Sequence, residues 1–225
     1  SAASDVYKRQ IWMKDYLQLD GLVYKLVPIK TSIENNPYEM GRIDSDLMYD
    51  IVKKWSWGNS ESDEIYHDPE TRKNSISFRG NLSRLSEKLI SEGEYEKAEE
   101  ILDLAFSKMP IDYYGYYSLW TPLVKSYYDI GKSEKVKEIV QKLSFKYSDR
   151  LSYFSSLEIF NQYDVGEEII SDIERFRNLI ETIQESGERK ILADQIKSFI
   201  SSSEQFNYIY GEYDYYISLS NFLVS

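Results

Sequence analysis

The chain has no cysteine and one histidine in 225 residues. Disulfides, thiolate metal ligands and a cysteine nucleophile are therefore excluded, and so is a multi-histidine metal centre. Basic residues are scarce: 27 Lys and Arg stand against 38 Asp and Glu, a formal net charge of −11. Sequence-independent nucleic-acid binding needs a basic surface, so nucleic acid is not an expected partner. No apolar run reaches the ~18 residues of a membrane span, so this stretch of chain is not expected to insert. Two motifs are also missing, the Gly-rich phosphate loop and the G-x-S-x-G nucleophile elbow. No catalytic residue, metal ligand or cofactor is assigned. What is plentiful is tyrosine, 21 residues, within a composition that is 42% hydrophobic and 29% charged. That excludes disorder as a global description and fits one or two folded domains.

The first ten residues read SAASDVYKRQ, and Asp5–Gln10 looks like one reading frame of a transposase mosaic-end sequencing adaptor. The expectation is that residues 1–10 are non-native, that natural sequence starts near Ile11, and that the chain is a fragment of a longer protein. The alternative is a short natural segment that happens to match. Residues 11–70 read as a hairpin-plus-helix region. Asp20-Gly21 separates two apolar runs, a hairpin signal. Pro28 ends the second strand or puts it at an edge. Residues 30–43 read as loop. Asp44 or Ser45 caps a helix to about Trp55 with Leu47, Met48, Ile51 and Val52 on one stripe. The polar stretch 58–71 reads as loop.

Residues 71–203 carry helical stripes in pairs. Leu82, Leu85, Leu89 and Ile90 precede Gly93; Ala98, Ile101, Leu102, Ala105 and Phe106 follow, closed by Pro110. A second pair has Trp120, Leu123, Val124 and Tyr127, then Gly131, then Val136, Ile139, Val140 and Leu143. A third has Phe176, Leu179, Ile180 and Ile183, then Gly187, then Leu192, Ile196 and Phe199. The glycine separations, 38 and 56, leave extra material over 144–164, where Leu151, Tyr153, Phe154 and Leu157 suggest another short helix. With Leu85 and Ser86 at a tight crossing, Gly93 at the turn and Ala98 and Ala105 at small packing positions, the first pair resembles a tetratricopeptide repeat. The second matches at Trp120 and Tyr127 but has Val136 for the alanine and no closing proline. The third keeps only the spacing. An irregular helical bundle is the alternative. Residues 204–225 form a Tyr-rich C-terminal segment, equally a capping helix or an amphipathic strand pair.

A wider resemblance covers residues 11–160. The segments YLQLDGLVYKLVPIK (16–30) and GRIDSDLMYDIVKKWSWGN (41–59) and the helix NLSRLSEKLI (81–90) resemble the C-terminal extracytoplasmic region of Bacteroidota multi-spanning membrane proteins similar to protein O-mannosyltransferases. The resemblance implies a periplasm-facing appendage of a membrane-embedded transferase, with the chemistry in a membrane domain outside this chain. It carries over no catalytic residue.

Other clusters read as ordinary surface. His67 lies beside Asp68, Asp63 and Glu64, a solvated loop before it is a metal site. Asp44, Asp46 and Asp50 lack the glycine and closing Glu of a calcium loop, and acids at a helix start favour its dipole. Tyr113, Tyr114, Tyr116 and Tyr117 can stack sugar rings or anchor partners, but packing between repeats is the plainer account. The expected fold is mostly α: a short N-terminal β-hairpin and helix, then tetratricopeptide-like antiparallel helix pairs in a solenoid. Such arrays present a groove, for which Ser83, Glu87 and Ile90 are the candidates in the first pair and Thr121, Lys125 and Tyr128 in the second. The expected function is a non-catalytic interaction or scaffolding domain with a protein or glycan partner. A carbohydrate-binding or acceptor-positioning module, or a stand-alone cytoplasmic adaptor, are the alternatives.

Overall fold

A computed structural model describes residues 13–31 and 40–210. Residues 1–10, Asn35 to Pro37, and Tyr213, Tyr215 and Tyr216 lie outside the described residues. The chain is mostly helical, with one short hairpin at its start.

Strands β1 (Leu17–Asp20) and β2 (Val23–Leu26) pair antiparallel, with Leu17 opposite Leu26 and Asp20 opposite Val23. The turn residues are Gly21-Leu22 rather than Asp20-Gly21. Gly21 takes φ +69° at the first turn position, where a primed turn needs a left-handed residue. A Cβ there would come within 3.1 Å of Trp55 and Ile51, so the turn seats directly on the next helix. The 30–43 stretch is not all loop. Arg42 exchanges backbone hydrogen bonds with Leu17 and Leu19 at 2.8 and 2.9 Å, flanking β1 on the edge away from β2. Helix α1 (Ser45–Lys53) is capped by Asp44, whose carboxylate accepts from the Leu47 N–H. It ends before Trp55. Trp55, Trp57 and Phe78 instead form a three-ring cluster, with centroids 5.2–5.6 Å apart.

Three antiparallel helix pairs follow. The first is α2 (Pro69–Ser91) with α3 (Tyr95–Lys108). Its start corrects the loop reading of 58–71: Asp68 caps the helix and Pro69 occupies the first turn, where its missing N–H is not needed. The short helix α4 (Ile111–Tyr114) and a 3-10 turn (Tyr117–Trp120) lead to the second pair, α5 (Thr121–Asp129) with α6 (Ser133–Ser156). The separate helix expected around Leu151 is the continuation of α6. Helix α7 (Ile159–Asp164) bridges to the third pair, α8 (Gly166–Glu185) with α9 (Arg189–Ser203). A 3-10 turn (Glu204–Phe206) and α10 (Asn207–Tyr210) complete the described chain.

The first two pairs turn in the same way. Gly93 and Gly131 sit at φ +81° and +73°. The residue after each closes a bond back to the helix, Glu94 N–H to Leu89 C=O and Lys132 N–H to Tyr127 C=O, both 2.9 Å. This is the Schellman cap, which needs a left-handed residue at that point. The pairs then stack: α2 lies on α5, α5 on α8, and α6 on both α8 and α9. Small residues mark the close approaches. Ser86 Oγ donates to Ser126 Oγ at 3.3 Å between α2 and α5, and Ser148 meets Ser198 and Ser202 between α6 and α9. Leu82, Leu85, Leu89, Ala98, Ala105, Trp120, Val140, Phe176 and Phe199 belong to one continuous buried cluster. Aromatic contacts tie the last two pairs together. Tyr147 stacks on Phe176, and Phe176 meets Phe199 edge-on, each at 5.5 Å.

Candidate functional site

The six groove candidates do not share a surface. Ser83 is buried and donates to Glu87 Oε1 at 3.0 Å. Thr121 is buried at the first position of α5. Ile90 is half-buried against the core, and Tyr128 is half-buried with its hydroxyl beside Ser186 of the third pair. Burial pushes the Tyr128 phenol upward, partly opposed by Ser186. Only Glu87 and Lys125 face solvent. Ser83 and Thr121 are both buried and do not line an open groove.

The remaining candidates resolve into structural roles. Asp44 caps α1 and Asp46 pairs with Lys97 at 2.8 Å. The His67 ring lies 3.2 Å from the Ser62 carbonyl oxygen and stacks against Tyr113 at 5.6 Å. Among the described residues no three His, Asp or Glu side chains gather as a metal site would require. The Tyr113–Tyr117 run divides. Tyr114 is buried and donates to the Ser60 carbonyl, and Tyr117 packs edge-on to Tyr147. Tyr116 stays 47% exposed.

Beside Tyr116 the structure assembles a feature that sequence reasoning missed. A cavity of about 470 Å³ opens between the start of α2 (Pro69, Arg72), the loop Tyr114–Tyr117, α6 (Tyr147, Arg150) and α8 (Asp172, Arg175). Three arginines line it against one carboxylate. Asp172 is 2% exposed at its side chain and accepts from Arg150 Nε at 2.6 Å and Arg175 Nη1 at 3.2 Å. Directly behind the loop lies Arg79, fully buried. It donates to the Gly115 carbonyl at 2.7 Å, the Tyr116 carbonyl at 3.4 Å and Ser75 Oγ at 2.6 Å. Its guanidinium carbon sits 5.0 Å over the Trp120 ring. Burial pulls the Arg79 guanidinium down to about 10, so it stays charged at neutral pH. Its carbonyl bonds brace two successive residues of positive φ, Gly115 at φ 63°, ψ −150° and Tyr116 in the left-handed region at φ 47°, ψ 54°. Such strain persists only where the surroundings impose it.

Residues 1–47 match the family model described as TMEM260-associated domain 2. The match includes the ten residues read above as adaptor-derived, all of the 16–30 segment and the first part of the 41–59 segment, and it ends within α1. No curated protein and no solved structure matches the chain. The N-terminal part is thus similar to a domain associated with membrane proteins. No helix among the described residues is long and apolar enough to cross a membrane.

Proposed function

We propose that the chain is a non-catalytic interaction domain, the C-terminal extracytoplasmic part of a membrane-embedded glycosyltransferase-like protein, on the periplasmic face of a bacterial inner membrane. The observation that carries this reading is the order of parts. A segment similar to a membrane-protein-associated domain runs straight into stacked helix pairs, an architecture that offers extended surface for partners. The two Schellman turns and the serine crossing favour a tetratricopeptide-like reading of the first two pairs. Glu87 and Lys125, on successive first helices, are the exposed positions from which a partner would be met.

The test has two arms. The purified chain, given glycosyl donors with and without divalent cations, should form no product. A photo-crosslinking residue at Glu87 or Lys125 in the membrane-bound parent should yield a discrete adduct that the same residue at Lys190, exposed on α9, does not. Donor turnover abolished by Asp44→Asn or His67→Ala would place the chemistry in this chain and end the proposal. Equal crosslinking from all three positions would end the surface assignment.

A further inference from the structure

We propose that the arginine-lined cavity between the three helix pairs is a binding site for an acidic monosaccharide, whose phosphate or carboxylate is held by Arg72, Arg150 and Arg175 while its ring packs on Tyr116. This assignment stands independently of the interaction-domain reading, because it rests on different residues.

Three observations point to an anionic ligand. The first is charge. In a chain of net charge −11, this cavity is lined by three arginines and a single Asp, with the buried Arg79 behind its wall. Arg150 and Arg175 each turn one N–H to Asp172. One carboxylate cannot neutralise both, and each guanidinium keeps the rest of its donor fork. Their side chains remain 44% and 49% exposed, so those donors are reachable. The second is Arg72, whose Nε is buried and has no partner among the described residues. Arg72 faces the cavity and forms no ion pair among the described residues. The third is Tyr147. It is 1% exposed, lines the cavity, and its hydroxyl has no hydrogen-bond partner among the described residues. A buried hydroxyl left unsatisfied costs free energy unless something else supplies the bond. Burial raises its phenol; Arg175 and Arg150 act against that rise, and Asp172 and Tyr117 add to it, so the hydroxyl lies within reach of the Arg150–Asp172–Arg175 cluster. It is a neutral donor on the wall that the three arginines share.

The organic part of the ligand follows from Tyr116. A half-exposed ring on a strained left-handed backbone at the cavity wall is an amphipathic face suited to the apolar side of a pyranose. The volume, about 470 Å³, falls within the ordinary range for small-ligand sites and accommodates a single sugar ring. Arginine reads phosphate and carboxylate with the same bidentate geometry, so a sugar phosphate and a uronic acid are the two sources of one chemistry.

The test titrates the full chain, at constant ionic strength, with glucose 6-phosphate, glucuronate, inorganic phosphate and neutral glucose, followed by calorimetry. At least one of the two acidic sugars should saturate the protein, and the stronger of them identifies the source. Glucose should give no saturable heat. Arg72→Gln removes a side chain whose Nε has no partner among the described residues, so the fold should survive, as circular dichroism can verify, while affinity falls about tenfold or more. Tyr147→Phe, which keeps the ring packing and removes an unsatisfied hydroxyl, should weaken binding severalfold while the melting temperature of the free protein holds or rises. Failure of both acidic sugars to saturate, or undiminished affinity in folded Arg72→Gln, overturns the site. Inorganic phosphate binding as tightly as the acidic sugars overturns the saccharide assignment.

Discussion

Replacing glycine by alanine at Gly93, Gly131 and Gly80 makes one chemical change in two backbone settings. At all three positions a Cβ would meet nothing within 4 Å, so packing contributes nothing to the outcome. Gly93 and Gly131 hold φ +81° and +73°, whereas Gly80 lies inside α2 with ordinary helical backbone. Forcing an L-residue into the left-handed region costs ~1–2 kcal/mol. Alanine also stiffens the unfolded chain, which returns ~0.4–1 kcal/mol. The strain wins, and Gly93→Ala and Gly131→Ala should each destabilise by roughly 0.5–1.5 kcal/mol. At Gly80 there is no strain, and the lost unfolded-state freedom makes alanine favourable by ~0.5–1 kcal/mol. For a chain of this size each kcal/mol moves the midpoint by about 2–4 °C, so the two classes should separate by roughly 2–10 °C in opposite directions. Thermal melts by far-ultraviolet circular dichroism, backed by urea midpoints at one temperature, read the difference. A Gly93→Ala protein that melts as high as Gly80→Ala would refute the reasoning. The turn would then not depend on a left-handed residue, and the equivalence of the first two pairs would lose its physical basis.

Two further outcomes are expected. Ala98→Leu, at a fully buried position on α3, should overpack the α2–α3 contact and cost ~1–3 kcal/mol in urea denaturation; a neutral result would mean that the crossing is loose. The carboxyls of Glu92, Glu99 and Glu100 are held below the ordinary 4.5 by Lys88 with Ser45, by Lys132 with Lys135, and by Lys53 with Tyr49. Depressed folded values add stability above the ordinary pKa that is lost as pH falls through them, so the melting temperature should drop on acidification from about pH 5 to about pH 3. Added salt should lessen the drop, since the pairs are exposed. A midpoint flat across that range would refute the linkage.

Local periodicity made the helices and the hairpin legible, because Leu82, Leu85 and Leu89 or Phe176, Leu179 and Ile183 announce a face within a few turns. The extent of α6 was harder. Its stripe continues through Ser144 and Tyr147 to Leu151 and Phe154, and a reading that counts only aliphatic residues breaks at the serine. Ser83 and Thr121 are expected on the groove from the repeat pattern, but both are buried, because the stacking of the pairs and not the repeat alone decides which helix face stays open. The arginine cavity was the least legible. Arg72, Arg150 and Arg175 sit on three helices that only tertiary stacking brings together, and each looks alone like a solvated surface charge.

The length of α6 has its own consequence. At ~1.5 Å per residue its 24 residues run about 36 Å, against about 21 Å for the 14 residues of α3. The far half places Tyr147 on Phe176 and Arg150 on Asp172, both of α8, buries Leu151 and Phe154, and belongs to the helix on which α9 also packs. In an array of equal repeats each unit leans only on its neighbours, and the end unit can fray by itself. Here one unbroken rod serves as the second helix of one unit and the floor of the next. Peeling away α8 and α9 would strip the outer half of α6 of its apolar cover, and that half would melt with them. The second and third pairs are thereby welded into one cooperative block, leaving the hinge of any partial unfolding at the α2–α5 seam rather than at the C-terminal end.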